Sequence, residues 1–127
     1  MLKGLLFAGI TILPVHADAA CTLKNLQGRY SAIIAAEFDG WQRCNVRVNA
    51  NGLATGICLT STGDTVLTDP IQFSVSPSCF VSGTSASGVF SYSLRMQPHK
   101  RGLIGRFRAD DGVNLFEGPA VAVKRGK

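Results

Sequence analysis

Apolar and polar residues alternate along most of this chain. Val46 and Val48 stand between Asn45, Arg47 and Asn49. Ile71, Phe73 and Val75 flank Gln72 and Ser74, and Phe90, Tyr92, Leu94 and Met96 flank Ser91, Ser93 and Arg95. A period of two marks strands with one face buried and the other in water. No long stretch shows helical periodicity. Turn signals separate the alternating runs: Asp39-Gly40, Asn51-Gly52, Gly63-Asp64, Ser76-Pro77-Ser78, Ser87-Gly88, Pro98 to Gly102 and Asp111-Gly112. Each supplies residues that tolerate left-handed backbone or bond locally to it. The pattern predicts eight strands, over 28–37, 42–50, 53–60, 65–75, 79–85, 88–97, 103–109 and 113–124. Asp69-Pro70 should kink the fourth, since proline cannot donate to a ladder. Residues 22–26 predict one short helical turn.

Eight short strands joined by tight turns form an antiparallel meander. Closing it into an up-and-down β-barrel removes the exposed edges. The fold class is therefore all-β, a small eight-stranded barrel, with a β-sandwich as the alternative. A barrel of eight strands is either filled by its own side chains or holds one small ligand.

The first segment, MLKGLLFAGITILPVHADAA, stands apart. Lys3, an apolar run from Leu5 to Val15 and then small residues have the order of a secretory signal peptide. The run is short for a bilayer span and Pro14 interrupts it. The expected division is residues 1–20 as a cleaved signal and 21–127 as a single barrel domain with no transmembrane segment. Cys21 follows Ala19-Ala20, which raises a lipoprotein reading. Lipidation sites carry leucine three residues before the cysteine, and here that residue is Asp18. Lipidation would also leave an odd number of cysteines. Soluble export, periplasmic or secreted, is the better reading.

Cys21, Cys44, Cys58 and Cys79 all remain after such a cut. Four cysteines in an exported chain of this size predict disulfides. A zinc site is the rival, but there is no C-x-x-C pair, and His99 is the only histidine besides His16. In a meander each turn falls at one end or the other. Cys44 and Cys58 then share one end, and Cys21 and Cys79 the other, which predicts Cys44–Cys58 and Cys21–Cys79. Two hairpin registers compete. A three-residue loop Ala50-Asn51-Gly52 sets Cys44 opposite Cys58. A two-residue Asn51-Gly52 turn sets Val46 opposite Ile57, a better apolar match.

The chain offers little for catalysis. His99 sits in a polar turn, without the carboxylate that a triad needs. Every aspartate of the predicted domain falls at a turn, where local hydrogen bonding explains it. The expectation is a protein that is not an enzyme and carries no metal or cofactor. The formal charge of +5 permits an anionic partner without demanding one. Arg95, Lys100, Arg101, Arg106 and Arg108 cluster late, on one hairpin, and form a candidate patch for an anionic envelope component. The ordinary explanation is a solvated basic face. The patch lacks interleaved aromatics, so specific nucleic-acid recognition is not expected. The inward phase, with Tyr30, Phe90, Tyr92 and Phe107 as candidate ligand contacts, also takes in Leu115. Glu117 interrupts an apolar stretch and is a further candidate, set against an outward position beside a Gly118-Pro119 bulge. Ala32, Gly56 and Gly105 either leave a pocket or fit larger neighbours.

Gly28-Arg29-Tyr30 opens the first strand after a short N-terminal segment. With eight meandering strands, this resembles the calycin group of lipocalin-like and avidin-like barrels. Lipocalins carry G-x-W there, with a late basic residue packed on the ring. Here Tyr30 replaces the tryptophan, and Lys124 or Arg125 would be the base. The resemblance implies a small apolar ligand inside the barrel. The expected function is thus a small exported binding protein, using the interior or the basic outer face. A secreted inhibitor or cell-envelope interaction module is the alternative.

Overall fold

The computed structural model describes residues 20–36 and 40–126. The signal-like segment before residue 20 lies outside them. A short helix, α1 (Leu23–Leu26), precedes nine strands: β1 (Gly28–Ala36), β2 (Gly40–Val48), β3 (Leu53–Thr60), β4 (Thr65–Leu67), β5 (Ile71–Val75), β6 (Phe80–Ser85), β7 (Phe90–Met96), β8 (Gly102–Asp110) and β9 (Leu115–Gly126). They form one antiparallel sheet in the order β2-β1-β9-β8-β7-β6-β5-β3-β4, and pairing of β2 with β3 closes it. Both β4 and β5 lie against β3, through Ile57–Leu67 and Ala54–Ile71 respectively. They occupy one place in the ring, so the barrel has eight staves, as the alternation predicts.

The break between β4 and β5 falls at Asp69-Pro70, where the ladder loses a donor. Asp69 is tied down across the barrel wall. Its carboxylate accepts from the Ser87 hydroxyl and, at 3.1 Å, from the Ser87 N–H. The hydroxyl and then the N–H hold the Asp69 carboxyl below its usual pKa.

Cys44 pairs with Cys58 in the ladder, and the two are bonded, with Cα atoms 4.0 Å apart. The three-residue loop is therefore the register adopted. Asn49 decides it locally: its Oδ1 accepts from the N–H groups of Asn51 and Leu53, at 2.9 and 3.0 Å. Gly52 then takes φ 85°, open to glycine at little cost. The turn from Ser76 to Phe80 repeats this loop, with Ser76 N–H bonded to Phe80 O and Cys79 N–H to Ser76 O. Cys79 stands where Gly52 stands, at φ 71°. Left-handed backbone costs a non-glycine residue about 1–2 kcal/mol. The Cys21–Cys79 bond sits at this position. Both predicted pairings are present, and no cysteine is free among the described residues.

The barrel is closed at one end. α1 lies across it, and Leu26 is fully buried there. Thr22 N–H donates to Asn25 Oδ1 at 2.9 Å, fixing the start of the helix. Cys21 N–H donates to Pro77 O at 3.1 Å beside the disulfide. Two expectations need correction. Leu115 is 53% exposed, because β9 pairs Asp110 with Leu115 and turns Phe116 inward instead. No bulge occurs at Gly118-Pro119: Arg106–Pro119 and Phe107–Gly118 continue the β8–β9 ladder. Pro119 is tolerated because the β1–β9 ladder ends at Ile34–Ala120, just before it. The irregularity lies at Arg29/Tyr30 instead.

Candidate functional site

The interior contains a cavity in two lobes. The inner lobe, about 150 Å³, runs up from Leu26 and Tyr30 between Ala32, Cys44, Phe73 and Leu94. The outer lobe, about 220 Å³, reaches the loops at Asp111 and Asn114. Ile34, Gln42, Phe90 and Tyr92 line both lobes and form their junction. Alternation puts these side chains inside, and the end of the β1–β9 ladder at Ile34–Ala120 marks where the outer lobe widens. Gly56 and Gly105 do not make this space. A Cβ on them would lie 2.2 Å from Asn45 O and 2.1 Å from Ser93 O, so they admit a neighbouring strand. Ala32, in contrast, does line the inner lobe.

The two tyrosines that line the cavity have different surroundings: Tyr30 is buried and Tyr92 half-buried. Tyr30 donates to Leu26 O at 2.6 Å. The Lys124 ammonium lies 5.7 Å from its ring centre and donates to Asn25 O at 2.6 Å. Lys124 thus joins the first strand, the ring and the capping helix. Arg125 turns outward and donates to Ser31 Oγ at 2.8 Å. Tyr92 stacks in tilted contact between Phe73 and Phe107, with centroids 5.9 and 6.1 Å away. Burial pushes both hydroxyls up to about 12. Yet the Tyr92 hydroxyl and the Gln42 amide make no hydrogen bond with described residues, while both face the junction.

Tyr92 and Gln42 are partly buried, and polar groups at a cavity that the protein leaves unpaired are open to a bound molecule carrying one hydrogen-bonding group. Aliphatic and aromatic side chains make up most of the remaining lining, with Thr68 and Asp69 at the inner lobe and Asp111 and Asn114 at the outer, the general character of a small-molecule site. At the mouth, Asp111 accepts from the N–H groups of Asn114 and Val113, which hold its carboxyl below the usual range.

Phe90, Tyr92 and Phe107 thus come together around the outer lobe, and Tyr30 lies at the floor of the inner one. Glu117 does not join them. It is on the outer face, in register with Arg108 and paired to it at 3.3 Å. Arg108 also pairs with Asp110 at 3.3 Å. Arg101 donates to Lys124 O and Arg95 to Ser78 O. Arg106 faces Ser93 and Pro119, and Arg95 faces Ile104, so no two arginines of this hairpin are ladder partners. Of these late basic residues, Arg108 is the one paired with carboxylates among the described residues. Gln42 was missed by sequence reasoning, although alternation through Cys44 and Val46 turns it inward.

No family model, curated protein or solved structure matches this chain. The site therefore stands on its own geometry.

Proposed function

We propose that this protein is a small exported, non-enzymatic binder that holds one small molecule inside its barrel. The observation that carries the reading is the two-lobed cavity with the unpaired Tyr92 hydroxyl and Gln42 amide at its junction. The ligand is largely apolar, with one polar group near its middle or at one end. The inner lobe alone is comparable to an apolar cavity that accepts a benzene ring. The contact of Lys124 with Tyr30 beneath it supports the lipocalin-like layout. Two closed disulfides fit an oxidising compartment, which supports export.

Native mass spectrometry of protein purified without denaturation tests the reading. It should show a retained mass of small-molecule size. Replacing Ala32 with phenylalanine fills the inner lobe and should remove that mass, together with uptake of an apolar fluorescent probe. Protein that retains nothing, and takes up the probe equally with and without Ala32→Phe, contradicts it.

A further inference from the structure

A second feature lies outside the barrel, on the face formed by β9, β1, β2 and β3. Arg29 and Arg47 are direct ladder partners there. Arg125 joins them from the irregularity at the β1–β9 edge, its guanidinium positioned by the bond to Ser31. Like charges directly opposite each other repel, and a fold normally offsets them with acids. Here it does not. The described residues contain ion pairs only at Arg108. The three arginines line a groove of about 680 Å³ that no carboxylate lines. Ser31, Asn45 and Thr55 add neutral hydrogen-bonding groups.

The groove is not polar throughout. Ile57 and Leu67 line its other end, 43% and 81% exposed. Ile57 and Leu67 are themselves ladder partners, so their side chains share this outer face. A cationic end that can bond oxyanions bidentately, next to an exposed aliphatic end, is complementary to an anionic amphiphile.

We infer that this groove binds the phosphate headgroup of an anionic lipid, with Arg29, Arg47 and Arg125 on the phosphate and Ile57 and Leu67 against the attached hydrocarbon. The guanidinium is suited to this role because its planar fork matches two phosphate oxygens at once. The polar residues of the groove lie on the outward phase of the strands whose inward phase lines the inner lobe, and Tyr30, Val46 and Leu67 border both.

Sedimentation with vesicles tests the inference. The mature protein should be retained by pure phosphatidylglycerol vesicles and not by pure phosphatidylcholine vesicles. Replacing Arg29 and Arg47 together with serine should weaken retention about thirtyfold, since each arginine near an anionic surface contributes roughly a factor of five. Its melting temperature should stay level or rise, because facing like charges have been removed. The matched control replaces Arg95 and Arg106, an equal change in net charge on other strands, and should weaken retention far less. Leu67→Ser should weaken it without altering net charge. Equal loss in the two double variants means diffuse attraction and overturns the site. So does equal retention on phosphatidylcholine. Stabilisation by inorganic phosphate without any vesicle retention overturns the lipid assignment in favour of a free-anion site.

Discussion

The two ends of this barrel are finished differently. At the closed end, the buried polar groups have partners within the chain: the Tyr30 hydroxyl has Leu26 O and the Lys124 ammonium has Asn25 O. A disulfide fastens the capping segment to the sheet. Toward the open end, Tyr92 is half-buried among rings, its hydroxyl has no partner among described residues, and Gln42 beside it has none. A chain shaped by stability alone would complete both ends in the same way. Polar groups that are satisfied internally serve the fold, and those left unsatisfied beside a cavity are available to a ligand.

The severest way to break this contrast is to unfasten the closed end. Replacing Cys21 and Cys79 with serine releases a crosslink spanning 58 residues, for an expected loss of about 4 kcal/mol. The Cys44–Cys58 bond spans only 14, and its removal should cost about 3 kcal/mol. Urea unfolding of the two double variants measures both. Hydrogen exchange sharpens the comparison: without Cys21–Cys79, the Gln27 amide, bonded to Leu23 O just after α1, should exchange early, while amides of β7 stay protected.

Alkali should act next. Each buried tyrosine has a folded-state pKa of about 12 against an ordinary value of 10, so the folded state holds these protons more tightly. Their contribution is complete below pH 10 and is lost as pH rises through about 12. For Tyr30, only 4% exposed, the loss is on the order of 3 kcal/mol. A spectroscopic titration of tyrosinate alongside circular dichroism checks this. Ionisation of both rings near pH 10 with the fold unchanged would contradict the burial of both.

Much of this contrast was legible in the sequence, and the reason is local. Alternation fixed which residues face inward, turn residues fixed where the chain reverses, and the parity of reversals fixed the cysteine pairs. Asp69-Pro70 marked the broken stave because proline's missing donor acts wherever it is placed. The hairpin register was harder. Asn51-Gly52 suits a two-residue turn, and what chose otherwise was the Asn49 side chain together with the crosslink. That Lys124 and not Arg125 meets Tyr30 depends on phase along β9, in which Ala120, Ala122 and Lys124 turn inward. Facing of Arg29 and Arg47 was not legible, since it depends on the number of residues in the turn between β1 and β2. Glu117 and Arg108 lie opposite each other through the pairing of β8 with β9, a relation that neither residue's immediate neighbours reveal.

The finest test compares one atom at each end. Tyr30→Phe and Tyr92→Phe remove the same hydroxyl from two cavity-lining rings with the same raised pKa. Tyr30→Phe leaves Leu26 O buried without its donor, which should cost about 1–2 kcal/mol. Tyr92→Phe removes a hydroxyl that the described residues do not satisfy, so stability should change by less than about 0.5 kcal/mol and can rise. Chemical denaturation distinguishes the two outcomes. In a titration with a ligand bearing one hydrogen-bonding group, the order should reverse. Tyr92→Phe should weaken binding about fivefold, the value of one neutral hydrogen bond near 1 kcal/mol, while Tyr30→Phe leaves affinity unchanged. Equal destabilisation by both substitutions would mean that the Tyr92 hydroxyl is already satisfied. The two ends would then differ only in which segment covers them, and the junction would lose its claim as a binding site.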